Sequence, residues 1–171
     1  MKFLKVILII CILEICTKIG FILSSKFNKR LKEYLIIEDI LTYIESKIKY
    51  SQDNLIDIFS DLSNQYKNSN FGALFDNINN DLISNNYSIY EAFYNNIEKY
   101  KNMFSCNLDI LVQLSKNLGN SDVEDQIKNL SLLKERIKVL IKDAKNIKEK
   151  NERLYRNLGI ICGLTIAIIL I

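Results

Sequence analysis

The chain has 171 residues with no histidine, no proline, 5 glycines and 4 cysteines, and its 23 basic and 20 acidic side chains leave a formal net charge of +3. Without histidine the commonest general base and the commonest metal ligand are missing, and no glycine-rich phosphate loop, CxxC pair or serine nucleophile elbow replaces them. An enzyme is not expected, nor a cofactor or metal, and the small net charge, with Lys and Arg interleaved among Glu and Asp, argues against nucleic acid as a partner.

Few glycines and no proline permit long uninterrupted helices and give little support to tight hairpins, so an all-α fold is expected. The many Asn, Ile and Lys residues are consistent with an A/T-rich genome and are not taken as ligands. Cys11, Cys16 and Cys162 lie in apolar ends and Cys106 in the polar middle, so that middle cannot close its own disulfide, which fits a reducing compartment.

From Phe3 to Ile22 the chain is mostly Ile, Leu, Val and Cys, and as a helix this run reaches roughly 30 Å, the thickness of a bilayer's hydrocarbon core. Glu14 and Lys18 interrupt it at i, i+4, where they pair within the helix or contact another membrane helix. Lys2 and Lys5 ahead of Val6–Leu13 give it some look of a signal peptide, but no small-residue cleavage pattern follows. Lys26, Lys29, Arg30 and Lys32 follow this run, and Lys148, Lys150, Arg153 and Arg156 precede the apolar C-terminus. By the positive-inside rule the middle is therefore cytoplasmic and both ends lie across the membrane.

In the middle, Leu31, Leu35, Leu41, Ile44 and Ile48 mark one side of a helix. Asp53 is placed to cap a second, with Leu55, Ile58, Phe59 and Leu62 inward, and Lys67–Asn70 is a turn. A third carries Leu74, Phe75, Ile78 and Leu82 and breaks at Ser84–Tyr87. Ser88 and Glu91 have capping-box spacing and start a fourth, with Ala92, Phe93, Ile97 and Tyr100 inward. A fifth holds Leu108, Leu111, Leu114 and Leu118, Gly119 is its left-handed stop, and Ser121 with Glu124 is a second capping box.

The last helix is the longest. Leu130, Leu133, Ile137, Leu140, Ala144, Ile147, Asn151, Leu154 and Leu158 alternate three- and four-residue steps, a heptad seam leading into the apolar C-terminus. Such a seam packs within the bundle or joins two copies of the chain. Glu149 with Arg153 and Glu152 with Arg156 are spaced to pair on its outer side. Leu158–Ile171 reaches only about 20 Å as a helix, and Gly159, Gly163 and Ala167 form a smooth strip where another membrane helix can approach. The expected organisation is a transmembrane helix over 1–25, a cytoplasmic bundle of about six helices over 26–156, and a second transmembrane helix over 157–171.

The run LGNSDVEDQ from Leu118 to Gln126, the long polar helix after it and the closing NLGIICGL resemble the stage III sporulation protein AB family of endospore-forming bacteria. Thr17, Gly20 and Phe21, the helix ending near Ile48, and Ala92 with Phe93 agree in order and place. The chain departs from the family pattern at Lys18, at Ser115 where a glycine is usual, and at Asp53 and Asn54 where Thr-Pro is common. Family members look like the platform proteins of type II secretion and type IV pilus systems. The resemblance implies a non-catalytic scaffold of the mother cell–forespore channel, two-pass in the mother-cell membrane around the forespore, docking a cytoplasmic secretion-type ATPase and organising other membrane subunits. Membrane lipid and further copies of the chain are the other partners expected.

The residues expected to meet a partner are Ser121, Asp122, Glu124, Asp125 and Gln126, an exposed acidic helix start suited to a basic surface; the same acids in a first helical turn also satisfy the helix dipole. Glu14, Lys18, Gly159, Gly163 and Ala167 are expected at membrane-helix contacts. The alternative function is a two-span signalling or sensor protein whose heptad helix carries motion from the membrane.

Overall fold

The computed structural model describes residues 2–51, 54–85, 87–119 and 121–170, and their side-chain surroundings apart from residues 2–13, 16, 17, 20, 21, 23, 156, 159, 163, 167, 169 and 170. Every regular element among the described residues is helical: α1 (Lys2–Ser46) with a π-helical extension (Lys47–Ser51), α2 (Leu55–Gln65), α3 (Asn70–Ser84), α4 (Ile89–Tyr100) with a 3-10 turn (Lys101–Met103), α5 (Asp109–Asn117) and α6 (Val123–Leu170). The chain divides into two compact units, one formed by Glu33–Ile141 and the other by Met1–Lys32 with Lys142–Ile171.

In the Glu33–Ile141 unit, α1 buries Tyr34, Ile37, Leu41, Ile44 and Ile48, an unbroken three-and-four spacing. Leu41, Ile44 and Ile48 are the expected inward residues, but the start of the face is corrected: Leu31 is half-buried and Leu35 is 42% exposed, and Tyr34 and Ile37 continue the stripe in their place. The Tyr34 hydroxyl stays near polar atoms, accepting from the Asn107 N–H at 3.4 Å.

Phe59 of α2, Phe75 of α3 and Phe93 of α4 form the aromatic centre of this core, with centroid separations of 5.3 Å for Phe59–Phe93, 6.0 Å for Phe59–Phe75 and 6.1 Å for Phe75–Phe93. Pairs of this kind add about 0.5–1.5 kcal/mol each beyond the area they bury. Leu111 and Leu114 of α5 and Leu130 and Ile137 of α6 are also fully buried.

Caps decide where several helices begin. Asn54 caps α2, its Oδ1 accepting from the Ile56 N–H at 3.2 Å; Asp53, expected in that role, lies outside the described residues. The Ser88–Glu91 capping box forms as expected: the Glu91 N–H donates to Ser88 Oγ at 3.3 Å and the Ser88 N–H to Glu91 Oε2 at 3.0 Å. The Ser88 hydroxyl also donates to Glu91 Oε2 at 2.8 Å, and this bond first, then the one from the Ser88 N–H, favours the ionised carboxyl and holds Glu91 below the usual carboxylate range.

Two buried polar contacts, neither anticipated from sequence, fix neighbouring segments. Asn96, 4% exposed on α4, donates to Asp81 Oδ2 of α3 at 2.6 Å. Glu33 of α1, 6% exposed, accepts from the backbone N–H groups of Ser105 at 2.7 Å and Cys106 at 2.9 Å, both on Oε2. A carboxylate taking two backbone donors holds the α4–α5 connection against α1, because a buried donor left without an acceptor is costly.

In the other unit Lys18 Nζ lies 3.8 Å from Glu14 Oε2, and both side chains are mostly exposed. Phe27 and Tyr155 stack at 5.8 Å. Gly159, Gly163 and Ala167 belong to α6, but their surroundings lie outside the described side chains.

The heptad seam of α6 is buried less far than expected. Leu130, Leu133, Ile137 and Ala144 are buried and Leu140, Ile147 and Asn151 half-buried, whereas Leu154 and Leu158 are exposed. Asn151 turns back to donate to its own helix at the Ile147 carbonyl. Glu149 and Arg153 form no ion pair among the described residues, and the Arg156 side chain lies outside them. Among the described residues no helix is long and apolar enough to cross a membrane.

Candidate functional site

The five residues expected to meet a partner surround the turn from α5 into α6. Gly119 makes that turn possible: its φ of +75° is a conformation L side chains rarely adopt, and an added Cβ would stand 3.0 Å from Ile89 Cδ1 and 3.2 Å from Leu55 Cδ1. The turn is thereby pressed against the start of α4 and the start of α2.

The cap at this turn is not the expected one. Asp122, not Ser121, caps α6: Asp122 Oδ1 accepts from the Asp125 N–H at 2.8 Å, and its carbonyl accepts from the Gln126 N–H at 3.1 Å. Ser121 instead donates its hydroxyl to the Asn117 carbonyl at 3.1 Å, and its own carbonyl accepts from Gln126 Nε2 at 2.8 Å. A Ser at the right spacing from Glu lost to an Asp one residue later, whose carboxylate is the stronger acceptor at a helix start.

The five residues therefore split by task. Ser121, Asp122 and Gln126 close the turn with hydrogen bonds. The Glu124 and Asp125 side chains point outward, both residues exposed, and are available to a partner.

What surrounds these two carboxylates was not foreseen. Asp125 borders a shallow groove of about 260 Å³ shared with Asn117, Ser121, Lys128, Asn129 and Leu132. Leu132 is 63% exposed and Val123 43% exposed. One turn before Gly119, Lys116 of α5 sets its ammonium 5.8 Å above the ring of Tyr90, which stacks on Tyr94 at 5.9 Å; both rings are exposed. Tyr90 and Tyr94 sit at i, i+4 on α4, each three residues before an inward residue, Phe93 and Ile97, so the two rings form the exposed border of the buried face. Exposed tyrosines are among the side chains enriched at protein-contact surfaces.

Charge is also distributed differently from the interleaving read along the chain. The Glu33–Ile141 unit holds 10 basic and 16 acidic residues, a formal charge of −6; the other unit holds 13 basic and 4 acidic, a formal charge of +9. The small net charge is the residue of two large opposite ones.

Tyr43 donates to Asp61 at 2.7 Å and Lys47 lies 3.5 Å from the same carboxylate. The hydrogen bond from Tyr43 is the main reason Asp61 is held below its usual range, and partial burial the main reason Tyr43 is raised. These groups tie α1 to α2. Among the described residues no cluster of His, Cys, Asp and Glu is placed to hold a metal ion.

Fold and surface together define, among the described residues, an all-helical protein with one acidic and one basic, apolar-ended unit. The chain belongs to the stage III sporulation protein AB family, whose model matches residues 5–171, nearly its whole length. No curated protein and no solved structure matches it.

Proposed function

We propose that this protein is a non-catalytic platform subunit of the mother cell–forespore channel, held in the mother-cell membrane by its apolar ends and docking a secretion-type ATPase on its acidic unit. The division of charge carries this reading. A formal charge of −6 on one unit and +9 on the unit bearing both apolar ends is the pattern of a cytoplasmic docking surface joined to a membrane anchor obeying the positive-inside rule.

Two further observations support the anchor. Leu158, Ile160, Ile161, Leu164, Ile166 and Ile168 are all exposed, and at 100° per residue they are spread around α6 rather than confined to one stripe. A helix apolar on every side needs a lipid or protein surround. The two ends also belong to one unit, and the Glu14–Lys18 pair lowers the cost of both charges. Docking is supported by the exposed carboxylates of Glu124 and Asp125, by Leu132 in the groove that Asp125 borders, and by the exposed Tyr90 and Tyr94 of the same unit.

The test is affinity purification from sporulating cells in mild detergent. A platform brings down an ATPase together with further membrane subunits, and cells lacking the gene form engulfed forespores that fail to mature. Recovery of the chain alone, with normal spore yield, would overturn the proposal and favour the two-span sensor.

A further inference from the structure

In the basic unit, Lys145, Lys148, Glu149, Glu152 and Arg153 follow one another at alternating three- and one-residue steps on a single face of α6, and with Leu31 of α1 they line a groove of about 410 Å³. None of Lys145, Lys148 and Arg153 takes part in an ion pair among the described residues, although Glu149 and Glu152 are next to them. The stretches 26–32 and 142–156 around the groove carry ten basic residues and three acidic ones. A groove open to solvent with unneutralised cations is a site for an anion.

The order of side chains along the two helices indicates which anion. Within this unit, and among the described side chains, the exposed apolar residues of α1 end at Ile22 and those of α6 begin at Leu154 and Leu158; the stacked Phe27 and Tyr155 lie at this border, and the basic stretch overlaps and follows them. Apolar, aromatic, basic is the sequence of layers met on leaving a bilayer through its headgroups. Arg153 and Leu158 are five residues apart, about 7.5 Å of helix rise, so the Arg153 end of the groove lies at headgroup depth when the apolar ends are in the hydrocarbon, and the longer lysine side chains extend toward it from farther out.

We infer that this groove binds the phosphodiester of an anionic membrane phospholipid, with Lys145, Lys148 and Arg153 as its cationic contacts. The inference rests on the membrane anchor proposed above. Glu149 and Glu152 leave the groove a surplus of one positive charge, which suits a singly charged phosphodiester such as phosphatidylglycerol.

The experiment reconstitutes the full chain in phosphatidylcholine bilayers and compares spin-labelled phosphatidylglycerol with spin-labelled phosphatidylcholine by electron paramagnetic resonance. Both labels should show a motionally restricted population, with phosphatidylglycerol preferred several-fold. The variant Lys145→Gln/Lys148→Gln/Arg153→Gln should lose that preference, each basic residue near the surface being worth roughly a factor of five. The charge-keeping variant Lys145→Arg/Lys148→Arg/Arg153→Lys should retain it, and excess free glycerol phosphate should leave it intact. Restricted lipid without preference, a preference that survives the glutamine variant, or one abolished by glycerol phosphate would each overturn the lipid site while leaving the anchor standing. No restricted population for either label would overturn the anchor and the site together.

Discussion

Replacing Glu33 should separate two roles of one carboxylate. Glu33→Ala leaves the Cys106 N–H, in a buried residue, without its acceptor and sends the more exposed Ser105 N–H to water. An orphaned buried donor costs about 1–3 kcal/mol, and a lost bond to a charged acceptor about 1.5–3 kcal/mol before solvent compensates. The expected loss is about 2–4 kcal/mol, a large part of the roughly 5–15 kcal/mol a folded protein has. For a chain of this size that lowers Tm by roughly 5–15 °C. Both bonds fall on the same oxygen, so Glu33→Gln can present a carbonyl there, losing the charge and about 1 kcal/mol. Thermal unfolding of the full chain in detergent measures both variants, and amide exchange at Ser105 and Cys106 reports the contact itself. Unchanged Tm and unchanged protection in Glu33→Ala would refute the anchoring role.

Three other substitutions test the turns and caps. Gly119→Ala combines a positive φ with contacts at 3.0 and 3.2 Å and should destabilise by about 1–3 kcal/mol; an unfolding midpoint within about 0.3 kcal/mol of the parent would contradict the strained turn. Asp122→Ala should cost about 0.5–2 kcal/mol as loss of a cap, while Glu124→Gln should leave stability unchanged; the reverse order would restore the Ser121–Glu124 box. Glu91 is depressed in the folded state, so the stability it contributes is present above its unfolded pKa and is lost as pH falls through its folded pKa. In Ser88→Ala this part of the acid dependence should shrink, which unfolding curves across the acid range would reveal.

Much of the helical arrangement was legible because it rests on local chemistry. Ser88 and Glu91 satisfy each other within one turn, Gly119 supplies a conformation few residues accept, and Ile58, Phe59 and Leu62 repeat at helical spacing. Where a polar residue competed for a structural place, sequence misled: Tyr34 is not among the residues expected inward yet its ring is buried, and Asp122 displaced Ser121 because both can cap and only geometry chooses. Glu33 and Asn96 were invisible because their partners lie 72 and 15 residues away. The candidate site was legible in its acids and not in its surroundings. Tyr90, Tyr94 and Leu132 are conspicuous only once the inward faces of α4 and α6 are known, and the opposite charges of the two units emerge only when residues far apart in sequence are grouped.

The central claim, that the acidic unit docks a basic secretion-type ATPase, is tested most directly by measuring binding of the purified ATPase to the full chain in lipid nanodiscs over a range of salt. The account predicts binding that weakens steeply with ionic strength and falls at least tenfold in Tyr90→Ala/Glu124→Gln/Asp125→Asn, a variant whose helices and unfolding midpoint are unchanged. Absence of binding, or binding indifferent to both salt and these three side chains, would contradict it.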